Sequence, residues 1–120
     1  MEKLTAREEE IMKYFWTNGA LFVKEILEMH PEPKPHFNTL STIVRTIESK
    51  GLLAYKSMGN TYQYYPIVSE QEYGSKSMKN VVSKYFKNSA FAMVSTLVKD
   101  EDLSEKELKE LIEIIKSKKQ

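Results

Sequence analysis

The sequence predicts a mostly α-helical fold with a small β-hairpin: a winged helix-turn-helix domain over residues 1–66, followed by a helical dimerisation domain over residues 67–120. Three observations support this prediction. Amphipathic helical segments fill the first part of the chain, two strand-like segments around a turn follow them, and further apolar stripes with helical spacing occupy the rest. The order helix, helix, turn, helix, hairpin is that of a winged helix-turn-helix.

Capping and helix-breaking residues predict where the first two helices begin and end. Thr5 and Glu8 have the spacing of a capping box, and Asn18-Gly19 closes the first helix because glycine tolerates a positive φ angle. The second helix is expected from about Val23 to Met29, and the three prolines within His30–Pro35 predict a turn after it. The apolar faces consist of Ile11, Met12, Phe15 and Trp16 in the first helix and of Val23, Ile26 and Leu27 in the second.

The third helix is expected to start near Phe37 or Asn38 and to stop at Gly51. Its apolar side chains follow helical spacing at Leu40, Ile43, Val44 and Ile47. The opposite face carries Asn38, Thr42, Arg45 and Ser49, with Thr39 and Ser41 on its shoulders. An ordinary solvated face would carry several Lys and Glu. Short hydrogen-bonding side chains with one arginine instead favour a helix that approaches another surface closely.

A β-hairpin is predicted after the third helix. Leu52–Lys56 and Thr61–Tyr65 are rich in β-forming residues, they flank Ser57–Asn60, and Pro66 ends the second strand. The tyrosines of the hairpin are interpreted mainly as the apolar core of a wing; they are Tyr55, Tyr62, Tyr64 and Tyr65.

The chain after Val68 is predicted to be a helical arm with three apolar stripes. The three stripes are Met78, Val81, Val82 and Tyr85; Phe91, Val94, Leu97 and Val98; and Leu108, Leu111, Ile112 and Ile115. The last stripe is expected to be buried, in a helix that begins with a capping box at Ser104. So short a segment buries little by itself, which favours a homodimer. The predicted dimerisation residues are Val94, Leu97, Leu111, Ile112 and Ile115. The alternative is that these helices fold back on the first half of the same chain.

The composition argues against catalysis and against membrane insertion. The 120 residues include no cysteine and two histidines, and the histidines form no metal-binding motif. No glycine-rich phosphate loop is present, so we expect no catalytic residues, no metal and no cofactor. No apolar run is long enough to span a membrane, and no signal peptide is recognisable. We therefore expect a cytoplasmic protein that is not an enzyme and does not bind membranes directly.

A basic segment lies within a chain of net charge +1. Residues 34–65 contain four basic side chains and one acidic side chain, a balance that suits nucleic acid. Because the major groove admits one α-helix, the third helix is predicted to read double-stranded operator DNA while the wing contacts phosphates. The predicted DNA-binding residues are Asn38, Thr39, Ser41, Thr42, Arg45, Lys56, Asn60 and Thr61. A winged-helix module that binds only protein, without specific DNA binding, is the alternative.

Several segments resemble one known family in the same order and spacing. Asn38–Gly51 looks like the recognition helix of the penicillinase repressor family, and Leu4–Trp16 looks like its first helix. Gln63–Pro66 resembles the end of its wing, and Ala92–Val94 and Asp102–Leu108 resemble its dimerisation region. The resemblance covers nearly the whole chain.

The resemblance implies a dimeric repressor that binds a palindromic operator and controls a β-lactam- or other antibiotic-resistance operon. It also implies relief of repression by a protease linked to a membrane sensor, which cuts within the dimerisation arm. Where β-lactam-responsive members have an Asn-Phe bond, this chain has Thr96-Leu97, which is the cleavage candidate. Copper-responsive members carry C-terminal cysteine pairs, so copper sensing is not expected here. The family's usual arginine position is Thr46 in this chain, one residue after Arg45.

Overall fold

The computed structural model describes residues 2–118 and has the predicted order of elements. These elements are α1 (Ala6–Asn18), β1 (Leu21–Phe22), α2 (Val23–Met29), α3 (Phe37–Ser49), β2 (Leu53–Met58), β3 (Thr61–Pro66), α4 (Glu70–Tyr85), α5 (Ala90–Lys99) and α6 (Glu105–Lys118). The mostly helical fold with a winged helix domain is therefore confirmed. The chain divides into two compact units, residues 1–77 and 78–120.

The sheet of the first unit has three antiparallel strands in the order β1-β3-β2. β1 was not predicted, because two residues are too few to show an alternating pattern. Leu21 pairs with Tyr64 and Phe22 with Gln63, so β1 extends the sheet beside the inner part of β3. The β2–β3 hairpin, called the wing below, is longer than predicted, because β2 continues to Met58 and leaves a turn at Gly59-Asn60. Gly59 adopts φ 64°, which glycine reaches without steric cost.

The core of the first unit is formed by the predicted apolar faces of α1, α2 and α3. Its largest fully buried side chains are Phe15, Ile11, Met12, Ile26, Leu40, Ile47, Leu52, Leu53 and Val44. Trp16, Leu27 and Ile43 are only partly buried at its edge. Burial of about 1.5–3 kcal/mol per large apolar side chain makes this shared core the main force that holds α3 against α1 and α2.

An ion pair joins the start of α1 to the end of α3. Glu8 completes the predicted capping box, because its Oε1 accepts from the Thr5 amide at 2.9 Å while its own amide donates to Thr5 Oγ1 at 3.2 Å. The same Oε1 accepts from Lys50 Nζ at 2.6 Å, and Lys50 also donates to the Lys3 carbonyl at 3.2 Å. One carboxylate thus caps α1 and fixes the residue that follows α3.

The first unit extends beyond the wing into the start of α4. The Tyr73 hydroxyl accepts from the Leu4 amide at 2.8 Å, and Trp16 Nε1 donates to the Val68 carbonyl at 2.9 Å. The rings of Trp16 and Tyr73 lie 5.7 Å apart. These contacts explain why the first unit ends at Ser77, whereas the sequence predicts a domain boundary after Pro66.

The second unit contains helices with exposed apolar faces, and the one cap predicted for it, at Ser104, is confirmed. Ser104 Oγ accepts from the Glu107 amide at 3.1 Å, and Glu107 Oε1 accepts from the Ser104 amide at 3.0 Å, which is the predicted capping box. No side chain of α5 or α6 is buried within residues 2–118. The expectation that the α6 stripe is buried is therefore wrong for the single chain. Leu108 is partly buried, whereas Leu111, Ile112 and Ile115 are exposed.

Candidate nucleic-acid interface

The outward face of α3 holds the residues predicted to read DNA. Asn38, Thr39, Thr42 and Arg45 are exposed, and Ser41 is partly buried on the shoulder of the helix. Because Leu40, Val44 and Ile47 of the opposite face are buried in the core, the helix is held with its polar side toward solvent. The structure thus brings all five predicted helix residues onto one accessible surface.

Thr42 connects two of these residues through its hydroxyl group. Thr42 Oγ1 donates to the Asn38 carbonyl at 3.0 Å and accepts from Arg45 Nη2 at 3.3 Å. Since the single hydroxyl proton is committed to the helix backbone, the Thr42 oxygen is left as an acceptor that directs the guanidinium. Arginine can bond guanine with two hydrogen bonds, and a threonine methyl can pack on a thymine methyl.

The neighbouring Thr46 occupies the place where the resemblance puts an arginine. It is partly buried, and its Oγ1 donates to the Thr42 carbonyl at 2.9 Å. Arg45 is exposed instead, since one residue turns the direction of a helical side chain by about 100°. The cationic group of α3 therefore lies in line with Asn38 and Thr42.

Phe37 is an exposed α3 residue outside the predicted set of DNA-binding residues. It lies in the first turn with 48% of its surface exposed, directly before Asn38. From the sequence, its spacing of three residues from Leu40 fits the apolar face of the helix and would predict a buried side chain. The signal for DNA contact was its position as the first residue of α3, because the N-terminal residues of a recognition helix lie nearest the bases.

Two of the basic residues counted in the sequence are occupied within the chain. Lys34 Nζ donates to the carbonyls of Leu27 and Glu28 at 2.9 and 3.1 Å, so it caps the end of α2. Lys50 is paired with Glu8 as described above. Lys34 stays exposed and charged, as do Arg45 and Lys56, whereas the charge of Lys50 is compensated by Glu8. The free positive charge is therefore one less than the sequence count predicts.

The wing places its three predicted contact residues in solvent, but its tyrosines differ from expectation. Lys56, Asn60 and Thr61 are exposed, and Lys56 Nζ lies 5.8 Å from the centre of the Tyr65 ring.

The interpretation of the tyrosines as wing core is correct for Tyr64, which is 6% exposed, and wrong for Tyr55 and Tyr62, which are 46% and 48% exposed. Tyr65 is partly buried. The physical reason is that Tyr64 belongs to the core cluster of the first unit, whereas Tyr55 and Tyr62 lie outside that cluster.

Tyr64 marks the junction between the wing and α3. Burial raises the pKa of its hydroxyl above the ordinary value of 10.0; the nearby Arg45 charge opposes this rise and Glu48 adds to it. Tyr64 is therefore neutral at physiological pH, and Arg45 and Glu48 are close enough to act on it electrostatically.

The residues predicted for dimerisation and cleavage lie in the second unit. Val94 and Leu97 are partly buried on α5, and Leu111, Ile112 and Ile115 are exposed on α6. Thr96 is exposed within α5, and its Oγ1 donates to the Ala92 carbonyl at 3.0 Å. The Thr96-Leu97 bond is thus inside a regular helix.

Comparison with known proteins identifies the family. The penicillinase repressor family matches residues 4–117. The chain belongs to this family. It is 29% identical to the methicillin resistance regulatory protein MecI of Staphylococcus aureus, over 97% of this chain and 95% of that protein. It is 22% identical to the penicillinase repressor of Bacillus licheniformis, over 98% of this chain and 92% of that protein. It is 23% identical to the penicillinase repressor of Staphylococcus aureus, over 94% and 90% of the two chains.

Membership in this family makes the chain a transcriptional repressor and a DNA-binding protein, not an enzyme. Among the described residues, no cluster of three or more potential metal ligands occurs. In the same part of the chain, no helix is long and apolar enough to cross a membrane.

Proposed function

We propose that this repressor binds a palindromic operator as a homodimer and controls an antibiotic-resistance operon. The observation that carries the proposal is the outward face of α3, where Asn38, Thr42 and Arg45 are aligned, accessible and linked by hydrogen bonds. A helix of this kind fits the major groove and presents donors and acceptors to base edges. The resistance target is inferred from the relatives, whose names refer to methicillin resistance and penicillinase.

Homodimerisation through the arm, residues 67–120 in our proposed division, is supported by apolar surface on α5 and α6. Phe91 is 83% exposed, and Ile112 and Ile115 are 49% and 55% exposed. Leaving such stripes in water is costly, and a second copy offers the same stripes related by a two-fold axis. Two identical reading heads then match the two half-sites of a palindrome.

We further propose that a protease linked to a membrane sensor relieves repression by cutting Thr96-Leu97. The cut would separate α6 from most of the chain and remove Leu111, Ile112 and Ile115 from the proposed interface. Since a protease needs an extended substrate, α5 must open locally before cleavage. The heads would then lose the high effective concentration that the dimer provides.

Operator binding can be tested by sequencing the DNA fragments that co-purify with the full chain. The selected duplex and a scrambled duplex are then titrated with the wild-type protein and with Arg45→Ala at several salt concentrations. We expect a clear preference for the selected duplex, and a loss of about 1–3 kcal/mol for Arg45→Ala on that duplex. Equal affinity for the two duplexes at every salt concentration would overturn specific operator binding and favour a module that binds only protein.

A further inference from the structure

Tyr55 and Tyr62 form an exposed aromatic pair on the wing. Their ring centres are 4.5 Å apart, and both rings also contact Tyr64, at 5.8 and 6.5 Å. Nearly half of each side chain is exposed, and neither hydroxyl makes a hydrogen bond within residues 2–118. The pair therefore combines apolar ring surface with two hydrogen-bonding groups that have no partner among the described residues.

The strand register shows which face of the wing carries this pair. Tyr55 lies directly opposite Tyr64, and Ser57 lies opposite Tyr62. Because successive side chains of a strand point to opposite faces, the three tyrosine rings share one face, and Lys56 lies on the other. Tyr64 belongs to the buried core cluster that includes Leu40 and Val44 of α3, so the tyrosine face is the one beside α3. The effect of the Arg45 charge on Tyr64 agrees with this placement.

We propose that Tyr55 and Tyr62 contact the sugar-phosphate backbone of the operator next to the bases that α3 reads. Each hydroxyl donates a hydrogen bond to a phosphate oxygen, and the rings pack on the adjoining sugars. This proposal rests on the proposed function, because it places duplex DNA on the surface that includes Arg45. Continuity with that surface identifies DNA as the occupant, and tyrosine is among the residues that commonly bond phosphates.

A neutral phenol and a lysine leave different signatures in the salt dependence of binding. A lysine that neutralises a phosphate releases a counterion, so its loss lowers the slope of log affinity against log salt by about one. A phenol carries no charge and releases no counterion. Loss of a tyrosine hydroxyl should therefore weaken binding at every salt concentration without changing the slope.

The test compares Tyr55→Phe, Tyr62→Phe and the double variant with wild type, by fluorescence anisotropy on the selected and scrambled duplexes across a salt series. Tyr65→Phe is the matched control on the opposite face, and Arg45→Gln is the reference for the loss of a charged contact. Phenylalanine keeps the ring contacts, so folding is preserved, and Trp16 fluorescence checks it.

We expect each single variant to lose roughly threefold to tenfold affinity for both duplexes with an unchanged salt slope, and we expect Tyr65→Phe to match wild type.

Specific binding by wild type together with wild-type affinity in the Tyr55→Phe, Tyr62→Phe variant would overturn this proposal and leave the proposed function intact. Absence of specific binding by wild type would overturn both. A change in dimer mass by light scattering, without a change in DNA affinity, would show that the tyrosine face meets a second copy of the chain instead.

Discussion

Replacing Glu8 tests whether one carboxylate both caps α1 and holds Lys50 at the end of α3. Its Oε1 lies 2.9 Å from the Thr5 amide and 2.6 Å from Lys50 Nζ, and the Glu8 and Lys50 side chains are only 11% and 18% exposed. Glu8→Ala removes one capping hydrogen bond, worth about 0.5–1 kcal/mol, and leaves a shielded ammonium group with only the Lys3 carbonyl, which costs about 1–3 kcal/mol. The two contributions add to an expected loss of about 1.5–4 kcal/mol.

Glu8→Gln is the matched control, because glutamine can still cap the Thr5 amide but carries no charge. We expect it to lose about 1 kcal/mol less than Glu8→Ala. Trp16 is the single tryptophan and lies in the first unit, so urea unfolding followed by its fluorescence reports on this unit. With a slope of about 1 kcal/mol per molar urea, Glu8→Ala should lower the midpoint by about 1.5–4 M. Equal midpoints for the two variants would refute the capping contribution.

The pH dependence gives a second check on the ion pair. Burial acts to raise the pKa of Glu8, but the Lys50 ammonium and the Thr5 amide outweigh it and hold the pKa below the ordinary value of 4.5. A carboxyl whose pKa is lower in the folded protein than in the unfolded protein stabilises the fold at pH values above its unfolded-state pKa. This stabilisation is lost as the pH falls through its folded-state pKa. The difference between wild type and Glu8→Gln should therefore shrink below pH 4.5. A difference that stays constant with pH would refute the ion pair.

Three other predictions follow from the reading helix, the proposed interface and the proposed cleavage. Thr42→Val keeps a methyl group but loses the hydroxyl that orients Arg45, so it should bind the operator about tenfold more weakly in anisotropy titrations. Thr42→Ser keeps the hydroxyl but loses the methyl group, which separates the orienting role from the methyl contact. Wild-type binding by Thr42→Val would refute the orienting role. Ile112→Glu should produce monomers in light scattering while Glu113→Gln stays dimeric, and a dimeric Ile112→Glu would place the interface elsewhere. Cells induced with a β-lactam should yield a fragment ending at Thr96 by mass spectrometry, and derepression with only intact chain would exclude this cleavage.

Elements with strong local signals were predictable from the sequence. The capping boxes at Thr5 and Ser104 and the prolines of the turn determined element ends, because caps and prolines act within a few residues. The outward face of α3 followed from the apolar register of Leu40, Val44 and Ile47, since a helix that buries one face must expose the other.

Features that depend on distant partners were not predictable. β1 exists because Leu21 pairs with Tyr64, a contact between residues far apart in sequence. The ion pair of Lys50 with Glu8 likewise depends on packing, so a count of charges overstated the free positive charge. The exposure of Tyr55 and Tyr62 follows from where the core of the first unit ends, which the alternating pattern of the hairpin does not indicate.

The strand order β1-β3-β2 leaves two strand edges that could pair with strands of other molecules. β2 is an edge strand, and its outward backbone groups could pair with a strand of another molecule. Lys56 lies in the middle of this edge, and the opposite edge is formed by a β1 of only two residues. A charged side chain on one edge and a very short strand on the other discourage edge-to-edge association. Lys56 therefore helps to keep the wings of separate repressors apart, whether or not DNA is bound.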